Sequence, residues 1–372
     1  MIQDITMKLT NYLALFFLIA TYGISQSQSL DHLNLPRGFS ISVFAEVENA
    51  RSLAKSPNGT IFVGNRSEDK VYALQDTDND GVADKKYIIA SGLVTPNGVA
   101  FKNGDLYVAE VSRILKFPKI ESRLSNPPSP VVVYDKFPKD KHHGWKYIAF
   151  GPDGKLYVPV GAPCNICEKD NKIYASITRI NDDGSGLEIV ANGVRNSVGF
   201  DWNPDTKELW FTDNGRDMMG DNYPPCELNK LTKDGQHFGY PYCHGGDFGD
   251  PEFGSKFHCS EFEPPAYKFK AHVAPLGLKF YTGTMFPKDY QGDVIVAQHG
   301  SWNRSKKIGY RLMRVKIENN KAVSSEVFID GWLDVDKQEA IGRPVDVLQL
   351  KDGSLLVSDD YAGKVYRISY GK

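Results

Sequence analysis

The chain has 372 residues, a formal net charge of −2, 34 glycines, 21 prolines and 12% aromatic residues. That balance excludes a nucleic-acid binder, which needs a basic footprint. The glycine, proline and aromatic content suits strands and tight turns, and the length allows two average domains or one large closed β architecture.

The N-terminus reads as a targeting segment. Lys8 precedes the apolar run "YLALFFLIATYG" at 12–23, and polar "ISQSQS" follows. The run is too short to span a bilayer comfortably, and Gly23 and Ser25 fit positions −3 and −1 of a cleavage site. Residues 1–25 are therefore expected to be a signal peptide, with an uncleaved anchor as the alternative. Residues 26–372 are then one exported domain, periplasmic or secreted, without a membrane span. Export makes the five cysteines interpretable. Cys164 and Cys167 in "CNIC" have neither the second C-x-x-C or nearby histidines of a zinc site nor the βαβ context of a thioredoxin motif. Short structural disulfides are expected, Cys164–Cys167 and Cys243–Cys259. The second pair brackets a Gly-rich loop and leaves Cys226 free.

Beyond the leader, one pattern recurs six times. A Gly- or acid-bearing turn leads into an alternating strand and then a second strand, as in "NGTIFVGNRSEDKVYAL", "NGDLYVAEVSRILKF" and "DGSLLVSDDYAGKVYRI". The apolar anchors are Ile61, Leu106, Leu156, Leu209, Val294 and Leu355. One such unit cannot bury both faces, but six arranged radially can, so the spacing predicts an all-β fold, a six-bladed β-propeller. The strand "GFSISVFAE" is expected to complete the last blade. The wide gap between the fourth and fifth anchors implies an ordered insertion at about 214–275.

In a propeller, loops at one end of the channel converge. Candidates there are Asn97, His143, Arg195, Asn196, the "DNGRD" run at 213–217, His299 and Arg343. Convergent arginines suit a planar, multiply anionic ligand, because guanidinium forks pair bidentately with carboxylates. The plainer reading is that each arginine caps its own blade. The stretch "TDNGRDMMGDNYPPCELN" at 212–229 offers hard oxygen ligands suited to Ca²⁺, or is an acidic surface loop. Asp76, Asp78 and Asp80 before Gly81 match the first half of a D-x-D-x-D-G calcium loop. Tyr87 stands where the bidentate acid belongs, and Asp84 can partly compensate. His142 and His143 are adjacent, and in extended chain only one would face the channel, where a neutral imidazole can take a hydroxyl proton. No G-x-S-x-G elbow or strand-borne G-x-G-x-x-G accompanies them.

These residues, in "HHGWKYIAFGPDGKLYVPVG", "GVRNSVGFDWNP", "DNGRDMMGDNYPPCELN", "FGYPYC", "HGSWNR" and "GRPVDV", resemble the glucose/sorbosone dehydrogenases over roughly residues 35–370. The likeness is strongest to the sorbosone- and pyranose-dehydrogenase branch. These are exported six-bladed propellers that use pyrroloquinoline quinone (PQQ), a planar tricarboxylate. The resemblance implies His143 as the base, Arg195 and Asn196 at the cofactor, and backbone carbonyls of Gly215 and Arg216 on the cofactor's Ca²⁺. It also implies Glu227 at a further calcium site, with Asn97, His299 and Arg343 near the cofactor. Two positions depart from the glucose-oxidising branch: Val345 replaces a second arginine, and Gln298 with His299 replaces a lysine. The implied function is a PQQ- and Ca²⁺-dependent oxidation of an aldose, ketose or sugar aldehyde. Without a C-x-x-C-H haem motif, electrons pass to a separate cytochrome or quinone. A Ca²⁺-dependent propeller lactonase or other hydrolase, and a non-catalytic glycan- or protein-binding propeller, remain the alternatives.

Overall fold

Each of the six repeats folds as four antiparallel strands, and the sheet of the third takes up a short fifth strand in parallel. The computed structural model describes residues 30–371; the expected leader at 1–25 lies outside them. Blades 1 to 6 span 50–90, 98–134, 149–192, 200–271, 275–329 and 344–370. Every anchor falls in the second strand of its blade and is almost fully buried. First strands of neighbouring blades touch around the central axis. The described residues otherwise hold short strands, including the two-stranded ladders Cys243–His244 with Phe248–Gly249 and Leu333–Asp334 with Glu339–Ala340, and three short 3₁₀ helices, and none of their helices is long and apolar enough to cross a membrane.

The apolar residues of each blade are buried against the next blade rather than within their own sheet. Phe62 and Val71 of blade 1 pack with Leu106 and Phe117 of blade 2. Tyr157 and Ile177 of blade 3 pack with Phe200 and Phe211 of blade 4. The ring must therefore close. The closing strand, Phe39–Glu46, pairs antiparallel with Lys364–Tyr370, so blade 6 is built from both ends of the described chain. Phe39 secures it: its ring lies 4.8 Å from Phe286, 5.0 Å from Phe328 and 4.9 Å from Tyr370.

The segment at 214–275 is not one insertion. Blade 4 places its third strand, Pro225–Leu231, and its fourth, Tyr267–Ala271, inside it, leaving loops at 214–224 and 232–266. The fourth repeat already included "CELNKL"; the alternation of "YKFKA" was masked by the surrounding turn residues. The longer loop is ordered. Gln236–His237 pairs parallel with the outer strand of blade 3, Cys243–His244 pairs with Phe248–Gly249, and Cys243 bonds Cys259. Cys164 bonds Cys167, and Cys226 is a buried free thiol.

Because the ring is closed through Phe39, Phe39→Ala is expected to destabilise the protein by about 3 kcal/mol, the scale of removing a packed aromatic ring. Urea unfolding followed by tryptophan fluorescence measures it; an unchanged midpoint would show that the closing strand is held by its ladder alone.

Candidate active site

In an antiparallel blade, the connection to the next blade and the turn between second and third strands lie at the same end. Loops of both kinds surround one cavity of about 330 Å³ at that end. His143, Arg195, Asn196, Gly215, His299 and Arg343 all line it. Six of the sequence-derived residues are thus brought together from blades 3 to 6.

His143 is buried on the loop leading into blade 3 and has φ of 50°. The expected extended backbone, with neighbouring side chains facing oppositely, is therefore not present. The loop turns, and the two imidazoles lie against each other with centroids 4.1 Å apart. Only His143 lines the cavity; His142 is exposed. The Nδ1 of His143 lies 2.8 Å from the carbonyl of Ala162. A carbonyl only accepts, so Nδ1 carries the hydrogen and Nε2 keeps the lone pair. Gly161 makes room, since a Cβ there would sit 2.6 Å from His143 Cβ. Burial, then the positive charge of Arg195, pushes the imidazole down to about 2. The side chain is thus a neutral acceptor.

Arg195 is the most constrained cation. Its Nε donates to the Asn165 carbonyl (2.8 Å), its Nη1 to the Asn214 carbonyl (3.0 Å), and its Nη2 to Asn165 Oδ1 (2.8 Å) and Asp217 (3.1 Å). Its backbone amide and that of Asn196 donate to the buried carboxylate of Asp213. Across the cavity, Asp360 accepts from Arg51 (2.8 Å) and contacts His299 Nε2 (2.9 Å). Burial pushes His299 down to about 4 despite that carboxylate. Arg66 and Arg343 also line the cavity, and among the described residues neither forms an ion pair. Arg66 stacks on Trp145 at 3.9 Å, and the Nε of Arg343 is buried without a partner. Four guanidinium groups line the cavity, and the carboxylates paired with them are Asp217 and Asp360. The site carries an excess of positive charge that an anionic ligand would neutralise.

The expected residues Asn97, Arg216, Glu227, Asp76, Asp78 and Asp80 do not line the cavity. Asn97 is fully buried beneath the site: its Oδ1 accepts from Arg51 Nε (2.9 Å) and its Nδ2 donates to Ser52 and to the Lys146 carbonyl. It positions an arginine rather than lining the cavity. The Arg216 side chain turns away to Asp250 and Glu252 in the 232–266 loop. Glu227 lies inside blade 4, accepting from the Gly245 amide (2.8 Å) and Asn229 (3.0 Å). The acidic loop lies between the third and fourth strands of blade 1, hence at the opposite end. There Asp84, not Asp80, joins Asp76 and Asp78, with ligand oxygens within 4.8 Å of one another. Asp80 instead accepts from the Val82 amide.

Asp217, from the "DNGRD" run, also lines the cavity, as do Arg51, Arg66, Trp145 and His272, which were not singled out from the sequence. Arg66 carried a usable signal. It stands five residues after the anchor Ile61, as Asn214 and His299 stand five after Leu209 and Val294.

The depressed imidazole has a signed consequence. The unfolded chain takes up a proton on His143 below about pH 6.5 while the folded protein does not, so stability is lost as pH falls, by about 1.4 kcal/mol per pH unit. His143→Asn should remove that contribution. In urea unfolding, the loss of stability between pH 6 and pH 5 should be about 1 kcal/mol smaller for the variant than for the parent. Equal losses would mean that the imidazole is protonated in the fold.

A family model described as TrAA12-like matches residues 33–371. An uncharacterised protein of Borreliella burgdorferi is 35% identical, with 96% of each chain covered. Among solved structures, the calcium structure of the family AA12 carbohydrate-active enzyme of Trichoderma reesei superposes with TM-score 0.81 at 18% identity, covering 91% of this chain and 97% of that one. The holo PQQ domain of Coprinopsis cinerea pyranose dehydrogenase gives 0.77 at 17%, with 91% and 97% covered. The Escherichia coli soluble aldose sugar dehydrogenase gives 0.67 at 18%, with 89% and 99% covered. These structures share the six-bladed propeller, and the match over nearly the whole described chain assigns it: the chain belongs to the TrAA12-like family.

Proposed function

We propose that the protein is an exported sugar dehydrogenase that uses PQQ and Ca²⁺ and passes electrons to a separate cytochrome or quinone. The observation that carries this reading is the pair of unpaired guanidinium groups, Arg66 and Arg343, in one cavity with a neutral, tautomer-fixed His143. The holo pyranose dehydrogenase domain is a structural neighbour whose cofactor is a planar tricarboxylate of matching charge. The two disulfides support an oxidising compartment.

The donor set fits such a cofactor. Arg66 and Arg343 offer planar forks for carboxylates, and Arg195 adds a fixed charge already oriented by the protein. Gly215 lines the cavity, and a Cβ there would meet the Pro225 carbonyl at 2.7 Å. The carbonyls of Gly215 and Arg216 accept no backbone hydrogen bond among the described residues, which leaves them open to a hard cation. PQQ, when bound, supplies the two-electron oxidant for the hydride leaving the sugar carbon. His143 Nε2 accepts the proton of the hydroxyl on that carbon. Neutralising Arg195 and Arg66 with an anionic ligand removes charges that hold His143 down, so the base gains strength as the site fills. The hydrolase alternative needs clustered carboxylates around a metal in the channel. Among the described residues lining the cavity, Asp217 is the only carboxylate, and Arg195 pairs with it.

Apo-protein given PQQ and Ca²⁺ is expected to reduce an artificial electron acceptor with a sugar from a panel of aldoses, ketoses and sugar aldehydes; NAD should not substitute. His143→Ala should lower the rate by about 10²–10⁴, the scale of general-base loss, while His142→Ala costs far less. PQQ binding without turnover on any sugar would leave a binding role only.

A further inference from the structure

The C-x-x-C loop sits at the site but has no place in the chemistry above. The bridge Cys164–Cys167 encloses Asn165, and Asn165 reaches out of the loop with its carbonyl and its side-chain amide. Its carbonyl accepts from Arg195 Nε at 2.8 Å, and its Oδ1 accepts from Arg195 Nη2 at 2.8 Å and from the Asp217 amide at 2.8 Å. Its Nδ2 donates to the Asp217 carbonyl at 3.1 Å. The side-chain amide thus pairs with the backbone of Asp217 as a neighbouring strand would, and the same residue grips the guanidinium of Arg195 twice. Three loops meet at this one residue: the second turn of blade 3, the connection into blade 4, and the second turn of blade 4.

The loop is itself held from the far side. The Tyr240 hydroxyl accepts from the Cys167 amide at 3.0 Å and lies 3.4 Å from Cys164 Sγ. A bridge between residues three apart constrains little of the unfolded chain, so it contributes local shape more than global stability. The shape it fixes is that which aims both the carbonyl and the amide of Asn165 at Arg195.

We infer that Asn165, caged by Cys164–Cys167, is a positioning residue that holds Arg195 and Asp217 in register at the cavity. Arg195 has four of its donors tied to protein acceptors and can move only if Asn165 lets go. The inference rests on the cofactor reading for its consequence, though not for the geometry it asserts.

Two measurements separate the parts. In the apo-protein, modification of Arg195 by phenylglyoxal, followed by peptide mass spectrometry, reports whether the guanidinium is clamped. PQQ titration followed by tryptophan quenching reports the consequence. Asn165→Ala should raise the Arg195 modification rate severalfold and weaken PQQ binding about tenfold, the scale of losing a charge-assisted hydrogen bond. Asn165→Asp, which keeps an acceptor oxygen for Arg195, should restore protection. The double variant Cys164→Ser, Cys167→Ser should move both readouts in the direction of Asn165→Ala, with a melting temperature near the parent's. Unchanged modification of Arg195 in both Asn165→Ala and the double variant overturns the inference, whatever PQQ does. Increased modification, in a parent protein that itself fails to bind PQQ, upholds the positioning role and overturns the cofactor reading instead.

Discussion

The site depends on a buried polar residue that ends, or directly follows, the second strand of most blades. It stands four residues after the apolar anchor: Asn65, Glu110, Asp213, Gln298 and Asp359, each nearly inaccessible. In four of the five it bonds the backbone of the loop that leads into its own blade. Asn65 donates to the Glu48 carbonyl, Glu110 accepts from the Val94 amide, Asp213 from Arg195 and Asn196, and Asp359 from Arg343. Those loops would otherwise place unpaired amides next to the channel, a costly arrangement in a buried setting. The side chain satisfies them and fixes where the following cations project. Arg195 and Arg343 are where they are because a carboxylate one strand away holds their own peptide groups.

That arrangement is costly for the carboxylates. Burial raises Asp213 to about 7 and Asp359 to about 6. The same end of the channel gathers four arginines, two of them without an acidic partner. A fold selected only for stability would pair or remove such charges, since uncompensated buried charge is among the larger destabilising terms. Concentrating like charge in one cavity makes sense when a ligand of opposite sign completes it. The neutral histidines belong to the same logic. An imidazolium at 143 would add to an already positive site, so burial and Arg195 together keep it as an acceptor.

Much of this was legible in the sequence. The six anchors gave the blades because period-2 alternation survives in second strands buried on both sides. The closing strand followed from "GFSISVFAE", and the disulfides from cysteine spacing read beside an expected leader. His143, Arg195 and Arg343 were legible because each borders a recognisable turn. Asn97 was placed too near the ligand, because a polar residue at the right depth can serve the site by holding its neighbour Arg51, and spacing does not distinguish the two. Arg66 and Asn165 were missed for different reasons. Arg66 obeys the repeat, five residues after its anchor, but the repeat was used for its apolar positions alone. Asn165 has no periodic position; its role arises from a bridge and from two loops over 25 residues away in the chain.

Blade 3 is where the polar rule fails, and the failure is informative. Its second strand ends in Val160 followed by Gly161, so no side chain there can hold the loop that leads into the blade. The bond runs in the opposite direction: the loop reaches in with His143, whose Nδ1 meets the carbonyl of Ala162. The amide of that same Ala162 donates to the Arg195 carbonyl at 2.8 Å. One peptide residue therefore joins His143 to the arginine beside it. Gly161 is the condition for this, since any side chain would displace His143. In blades 1, 2, 4 and 6 a strand-borne side chain fastens the loop, which leaves the loop's own side chains for other contacts. In blade 3 the imidazole does both, which fixes its tautomer by the bond that anchors the loop and leaves the opposite nitrogen with its lone pair.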